Sequence, residues 1–151
     1  MTTEHSDVIT ALARRLFAQL EEQEYKVSVN LARLRISTGF FYIPDVCVIP
    51  RSVVRHKRQE TPRGVEIYSE PLPLVVDVWS PSTGEYDVET KPREYQLRSD
   101  EEVWRIHPYE RTLIAWRRQA DGSYSEALYE RGAVQAVALP HVTIELAGLF
   151  E

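Results

Sequence analysis

Pro73-Leu74-Val75-Val76-Asp77-Val78-Trp79 is the stretch on which the fold turns. It is apolar at odd and even positions alike and rich in β-branched residues, the pattern of a strand buried on both faces. Asp77 interrupts it. An ionised carboxylate in an apolar interior is very costly on its own, so Asp77 must be paired, protonated, metal-bound or exposed at a strand end. A second run of the same kind lies upstream, Phe40-Phe41-Tyr42-Ile43-Pro44-Asp45-Val46-Cys47-Val48-Ile49, and it carries Asp45. Pro44 cannot donate to a ladder, which puts it at a bulge or near the strand start. Two such carboxylates on neighbouring strands create a negative point that a hard divalent cation with oxygen ligands relieves. The alternative is two unrelated strand-end aspartates that accept backbone hydrogen bonds.

Outward from these runs, the periodicity supplies the other elements. Over 6–24, Val8, Ile9, Leu12, Leu16 and Leu20 share one helical face with Ala13 and Phe17 beside them, and Thr3 or Ser6 caps the start. From Tyr25 the period shortens to two through Val27, Val29 and Leu31, extended by Leu34 and Ile36. Residues 50–64, punctuated by Pro50, Pro62 and Gly64, read as a polar loop. Residues 80–84 form a turn, and a helix follows over 87–99 with Asp87 as N-cap. Pro92 belongs in its first turn, or the helix starts near Lys91. Strands at 102–107, 111–118, 123–130 and 133–138 make a β-meander with a hairpin at Asp121-Gly122, closed by 141–146.

Lys91 lies fourteen positions after Asp77. If its helix packs back along the strand, the ammonium reaches the carboxylate pair, where it orients a water or stabilises charge on a phosphate. Taken alone, it reads as a solvated surface lysine. At this point the sequence resembles a known superfamily. Pro44-Asp45-Val46-Cys47-Val48-Ile49-Pro50 is similar to the PD strand of the PD-(D/E)XK nucleases. Leu74-Val75-Val76-Asp77-Val78-Trp79-Ser80-Pro81-Ser82-Thr83, followed by Tyr86-Asp87, Lys91 and Tyr95, resembles the Uma-two branch, a restriction-endonuclease-like family. Glu102-Val103-Trp104-Arg105-Ile106-His107-Pro108 and the stretch from Leu139 to Phe150 resemble its later segments.

The resemblance implies an α/β fold, a restriction-endonuclease-like mixed twisted sheet flanked by helices, with a C-terminal β-meander, as one domain over 1–151. It also implies Mg²⁺ (or Mn²⁺) on Asp45 and Asp77, Lys91 as the catalytic lysine, hydrolysis of DNA, and a homodimer. The superfamily's usual lysine position falls on Trp79 here; the branch carries it on the following helix. Two departures bear on the site. The branch has Glu where this chain has Asp77, one methylene shorter. Its members also begin with a segment carrying an acidic residue that this sequence does not show, for which Glu4 or Glu24 would have to stand in.

Other candidates have plainer readings. Arg51, Arg55, Lys57 and Arg58, with Arg63 beyond, follow the Asp45 strand; they are either phosphate contacts or a solvated loop. His5 reads as an exposed or capping residue, with use by a nuclease near its site as the alternative, and His107 as a turn residue. Cys47 alternates with Asp45 and Ile49 and reads as a buried, inert thiol. Trp79, Trp104 and Trp116 read as packing, and Glu102 as a salt-bridge partner. The sequence is 43% hydrophobic and 27% charged, which is globular, and its net charge of −5 disfavours indiscriminate polyanion binding. One cysteine, no leader pattern and no apolar run near ~20 residues imply a cytoplasmic chain with no membrane span. The rival readings are an inactive member of the fold that binds protein or nucleic acid, and a nuclease that acts on RNA or on branched DNA.

Overall fold

The computed structural model describes residues 2–81 and 84–151, with the backbone alone for 84–89. Ser82 and Thr83 of the expected turn, and the side chains of Tyr86 and Asp87, lie outside that description. In chain order the elements are α1 (Thr3–Gln19), β1 (Tyr25–Val29), β2 (Arg33–Arg35), β3 (Phe41–Tyr42), β4 (Val46–Pro50), α2 (Arg51–Glu60), β5 (Ile67–Tyr68), β6 (Leu74–Val78), α3 (Gly84–Leu97), β7 (Glu102–His107), β8 (Thr112–Arg118), β9 (Tyr124–Tyr129), β10 (Ala133–Gln135) and β11 (Thr143–Glu145), closed by a 3-10 turn at Leu146–Leu149.

The main sheet has the order β1-β4-β6-β7-β8-β9. Its neighbours are antiparallel except β6 and β7, which run parallel. A parallel pair needs a crossover, and α3 is that crossover. Alternation along the strands sends Val46, Val48, Leu74, Val76, Val78, Trp104 and Ile106 to one face, where α1 packs with Val8, Ile9, Leu12 and Leu16. Leu12 and Leu16 are wholly buried, each contributing about 1.5–3 kcal/mol. The C-terminal segment, with β10 paired to β11, completes this layer. The opposite face carries Cys47, Ile49, Val75 and Val103 under Val54 of α2, Tyr95 of α3 and the small sheet β3-β2-β5.

The mixed sheet with flanking helices agrees with the expected class, and several local expectations are corrected. The first helix is capped by Thr2, whose Oγ1 accepts from the His5 amide at 3.2 Å, and it ends at Gln19. The long run over 40–49 breaks at Pro44, giving β3 to the small sheet and β4 to the main one. Residues 51–60 are helical rather than looped: Pro50 starts α2, and Val53 and Val54 anchor it to the second core. α3 begins at Gly84, ahead of Asp87, and runs through Pro92, which is buried and costs one helical hydrogen bond. Only β7, β8 and β9 of the meander join the main sheet; β10 pairs with β11 instead.

One polar cluster ties the layers together. Asp100 is fully buried, and its carboxylate accepts the Leu72 amide at 2.8 Å and the Arg98 Nε–H at 2.9 Å. Arg98 also donates to the carbonyls of Arg35, Tyr68 and Glu70. Burial raises the Asp100 pKa, and the guanidinium opposes that rise. Elsewhere, Glu102 is buried and accepts from the Trp104 indole, Arg117 and the Val137 amide, so its sequence reading as a salt-bridge partner holds.

Candidate active site

Antiparallel pairing of β4 with β6 sets Val46 against Val76 and Cys47 against Val75. One step past Val46, the two aspartates meet where β4 begins and β6 ends. The Asp45 amide donates to Asp77 Oδ1 at 3.1 Å, and the Val78 amide donates to Asp45 Oδ2 at 2.7 Å. Each carboxylate therefore accepts a backbone hydrogen from the other's strand. The two aspartates converge, and both also accept backbone hydrogen bonds at the strand ends.

α3 covers this point. Tyr95 is buried, and its hydroxyl donates to Asp77 Oδ2 at 2.8 Å. Lys91, one helical turn earlier and on the same face of α3, holds its Nζ 5.5 Å from the Tyr42 ring centroid, and that ring meets Tyr95 edge-on at 6.1 Å. The electrostatics follow from this enclosure. Burial pushes the Asp77 carboxyl up from its ordinary 3.8 to about 7, with the Asp45 charge adding to the rise, while Lys91 and the Tyr95 hydrogen bond pull it back. The Tyr95 hydroxyl is pushed well up by burial and by Asp77.

Four further residues lie on the elements around the pair. His5, at the start of α1, is buried; its Nε2–H donates to the Val78 carbonyl at 3.0 Å and lies 3.4 Å from Asp45 Oδ2, and its Nδ1 has no partner among the described residues. Arg105 stands beside Asp77 in register on β7, with its guanidinium 5.4 Å from the Trp116 ring centroid. Trp79 and His107, at the ends of β6 and β7, stack at 4.4 Å.

The residues expected at the centre, Asp45, Asp77 and Lys91, are thus brought together. The basic strip is not. Arg51 and Arg55 line a cleft of about 500 Å³ with Glu24 and Glu101 at the other end of the sheet, because β4 carries the chain on the order of 20 Å from Asp45. Lys57 lies 3.9 Å from Glu70, and Arg58 4.0 Å from Glu66. Glu24 is in that same distant cleft, and Glu4 is exposed. His5 is buried beside Asp45 rather than exposed, which corrects the surface reading and agrees with the alternative near the site; its spacing from Val8, Ile9 and Leu12 (three, four and seven residues) is the signal that puts it on the apolar face. Tyr95 had no assigned role; its i,i+4 relation to Lys91 was the available signal. Cys47 is buried, and desolvation raises its pKa, as an inert thiol requires.

A divalent cation fits this donor set in one particular way. Among the described residues, no cluster of three or more His, Cys, Asp or Glu side chains is arranged to hold a metal. The Asp77 charge is disfavoured first by burial and further by the Asp45 carboxylate, and such a pair suits an ion such as Mg²⁺, which takes one or two protein carboxylates and fills its shell with water and substrate phosphate.

The raised pKa also has a thermodynamic sign. Between 3.8 and about 7 the folded chain holds the Asp77 proton that the unfolded chain releases, so metal-free protein loses stability as pH rises through that window. In excess chelator, wild type is expected to lose more Tm between pH 5 and pH 8 than Asp77→Asn, by a few degrees. Equal losses in the two proteins contradict this.

A mixed sheet with one helix-bridged parallel pair and two carboxylates converging beneath that helix defines an α/β protein of the architecture that the sequence resemblance implied. A family model described as "Putative restriction endonuclease", Uma2, matches residues 1–147, and the chain belongs to that family. A solved structure from Anabaena variabilis, described as "a putative nuclease belonging to DUF820", is similar over 99% of this chain and 82% of its own, at 17% identity and a TM-score of 0.75, a likeness of fold. No curated protein matches. No helix among the described residues is long and apolar enough to cross a membrane.

Proposed function

We propose that this protein is a metal-dependent nuclease that hydrolyses DNA phosphodiester bonds at Asp45, Asp77 and Lys91. The observation that carries the reading is the meeting of two carboxylates from neighbouring strands, 3.1 Å from Asp77 Oδ1 to the Asp45 amide, under a helix that presents a lysine. Asp45 and Asp77 would hold Mg²⁺ or Mn²⁺, which when bound supplies Lewis acidity at the phosphate and at a water. The chain's own groups do the rest. Backbone amides fix one oxygen of each carboxylate, and Tyr95 fixes the second oxygen of Asp77. Lys91 orients the attacking water and balances charge as the new P–O bond forms and the ester P–O bond breaks. Membership of the family described as restriction endonucleases supports DNA as the substrate.

Labelled duplex, branched and single-stranded DNA and RNA, with and without Mg²⁺, test the reading. Cleavage is expected with metal only, and Lys91→Ala is expected to slow it about 10²–10³-fold while calorimetric metal binding persists. A non-catalytic nucleic-acid-binding module is the second reading, favoured by the service both carboxylates already give to the strand ladder. Metal binding without cleavage of any substrate would favour it over the nuclease.

A further inference from the structure

The β2–β3 hairpin displays what a folded domain ordinarily hides. Phe40 is 75% exposed and Phe41 42% exposed, and Ile43 beside them is also exposed. This is not a loose loop. Ile36 and Phe40 close the turn with a 2.9 Å backbone hydrogen bond, and Gly39 takes the φ of +92° that the turn demands. The Arg35 guanidinium donates to the Gly39 carbonyl at 2.8 Å, and the buried Glu94 of α3 accepts from the Ser37 hydroxyl at 2.7 Å. Rings held out on a fixed scaffold contribute little to the core, and contiguous exposed apolar surface marks an interaction site.

Charge indicates the partner. The chain is acidic overall, yet 31–44 contains no Asp or Glu and carries Arg33 and Arg35. The Arg33 guanidinium sits 5.1 Å from the Phe41 ring centroid. Aromatic rings interleaved with arginines suit stacked bases strung on phosphates. Place puts the hairpin next to the site: β3 turns Tyr42 inward, its ring 5.5 Å from the Lys91 Nζ and 6.1 Å from the Tyr95 ring, and turns Phe41 to the outer face of the same strand.

We infer that this hairpin is a nucleobase-stacking wedge: Phe40 and Phe41 pack on bases of the bound strand beside the candidate active site, and Arg33 takes a flanking phosphate. The inference rests on the nuclease reading for its location, while its binding chemistry is tested independently. Fluorescence anisotropy in excess chelator, with labelled duplex and single-stranded oligonucleotides, reads it. The Phe40→Ala/Phe41→Ala double variant is expected to keep the wild-type Tm and bind roughly tenfold or more weakly. Phe40→Trp should retain affinity, as should Leu128→Ala, which removes an apolar side chain 58% exposed on distant β9. Arg33→Gln should lower the salt slope by about one.

Loss on single strands alone means that the wedge takes bases already unpaired. Loss on duplex as well means that it opens a base step, and both results support it. A double variant within twofold of wild type on both probes overturns the proposal, as does wild type that binds neither. Hairpin-dependent binding without cleavage under any metal leaves the wedge standing and removes only the nuclease reading.

Discussion

Asp77→Asn should bind no Mg²⁺ at millimolar concentration and cleave DNA at least 10³-fold more slowly than wild type, with Asp45→Asn behaving alike. Asn is the informative substitution because it keeps an oxygen for the Asp45 amide and a polar group for the Tyr95 hydroxyl while deleting the charge. Ala would also strand those two donors, at about 1–3 kcal/mol each, and confound folding with chemistry. The magnitude comes from the metal's share of charge stabilisation, several kcal/mol, with each 1.36 kcal/mol worth about a factor of ten in rate. Calorimetry and single-turnover cleavage on the same preparations check both parts. An Asp77→Asn protein that cuts at the wild-type rate removes the carboxylate pair from the mechanism.

The second large effect concerns stability. Arg98→Ala should lower unfolding free energy by about 3–5 kcal/mol, because it leaves the Asp100 charge buried without its partner. Three carbonyls, of Arg35, Tyr68 and Glu70, lose a donor in the same step. For a chain of this size the Tm should fall by on the order of 10 °C. Arg98→Lys recovers only part of this, since a single ammonium cannot span the carboxylate and three carbonyls that the planar fork serves. Denaturant unfolding of the two variants measures it; a loss under about 1 kcal/mol for Arg98→Ala means the cluster is not a stability anchor.

Legibility in the sequence followed burial. The strands bearing Asp45 and Asp77 announced themselves because continuous β-branched runs have few other homes, and the carboxylates stood out against them. Lys91 came from family resemblance; spacing alone left it on the surface. α2 was missed because its ten residues carry only Val53 and Val54 as apolar anchors, so no stripe shows against Arg51, Arg55, Lys57 and Arg58. The same segment shows how nearness in sequence misleads: six positions along an extended strand carry a guanidinium to the other end of the sheet. His5 was legible by helical spacing, and its polarity obscured that. The Arg98–Asp100 cluster has no local signature at all, since its partners come from three separate segments.

The lone parallel pair in the sheet carries one more lesson. A chain leaving β6 and returning alongside it as β7 must travel over a face of the sheet, and the hand of that path is almost always the same. Asp77 points to the covered face, where the Tyr95 hydroxyl of the connecting helix meets it, so that helix passes over the acidic group. An amine can therefore reach that group from two addresses, the strand position two residues on or a turn of the overlying helix. This chain carries an indole, Trp79, at the first and an amine, Lys91, at the second, and both lie along the same backbone route.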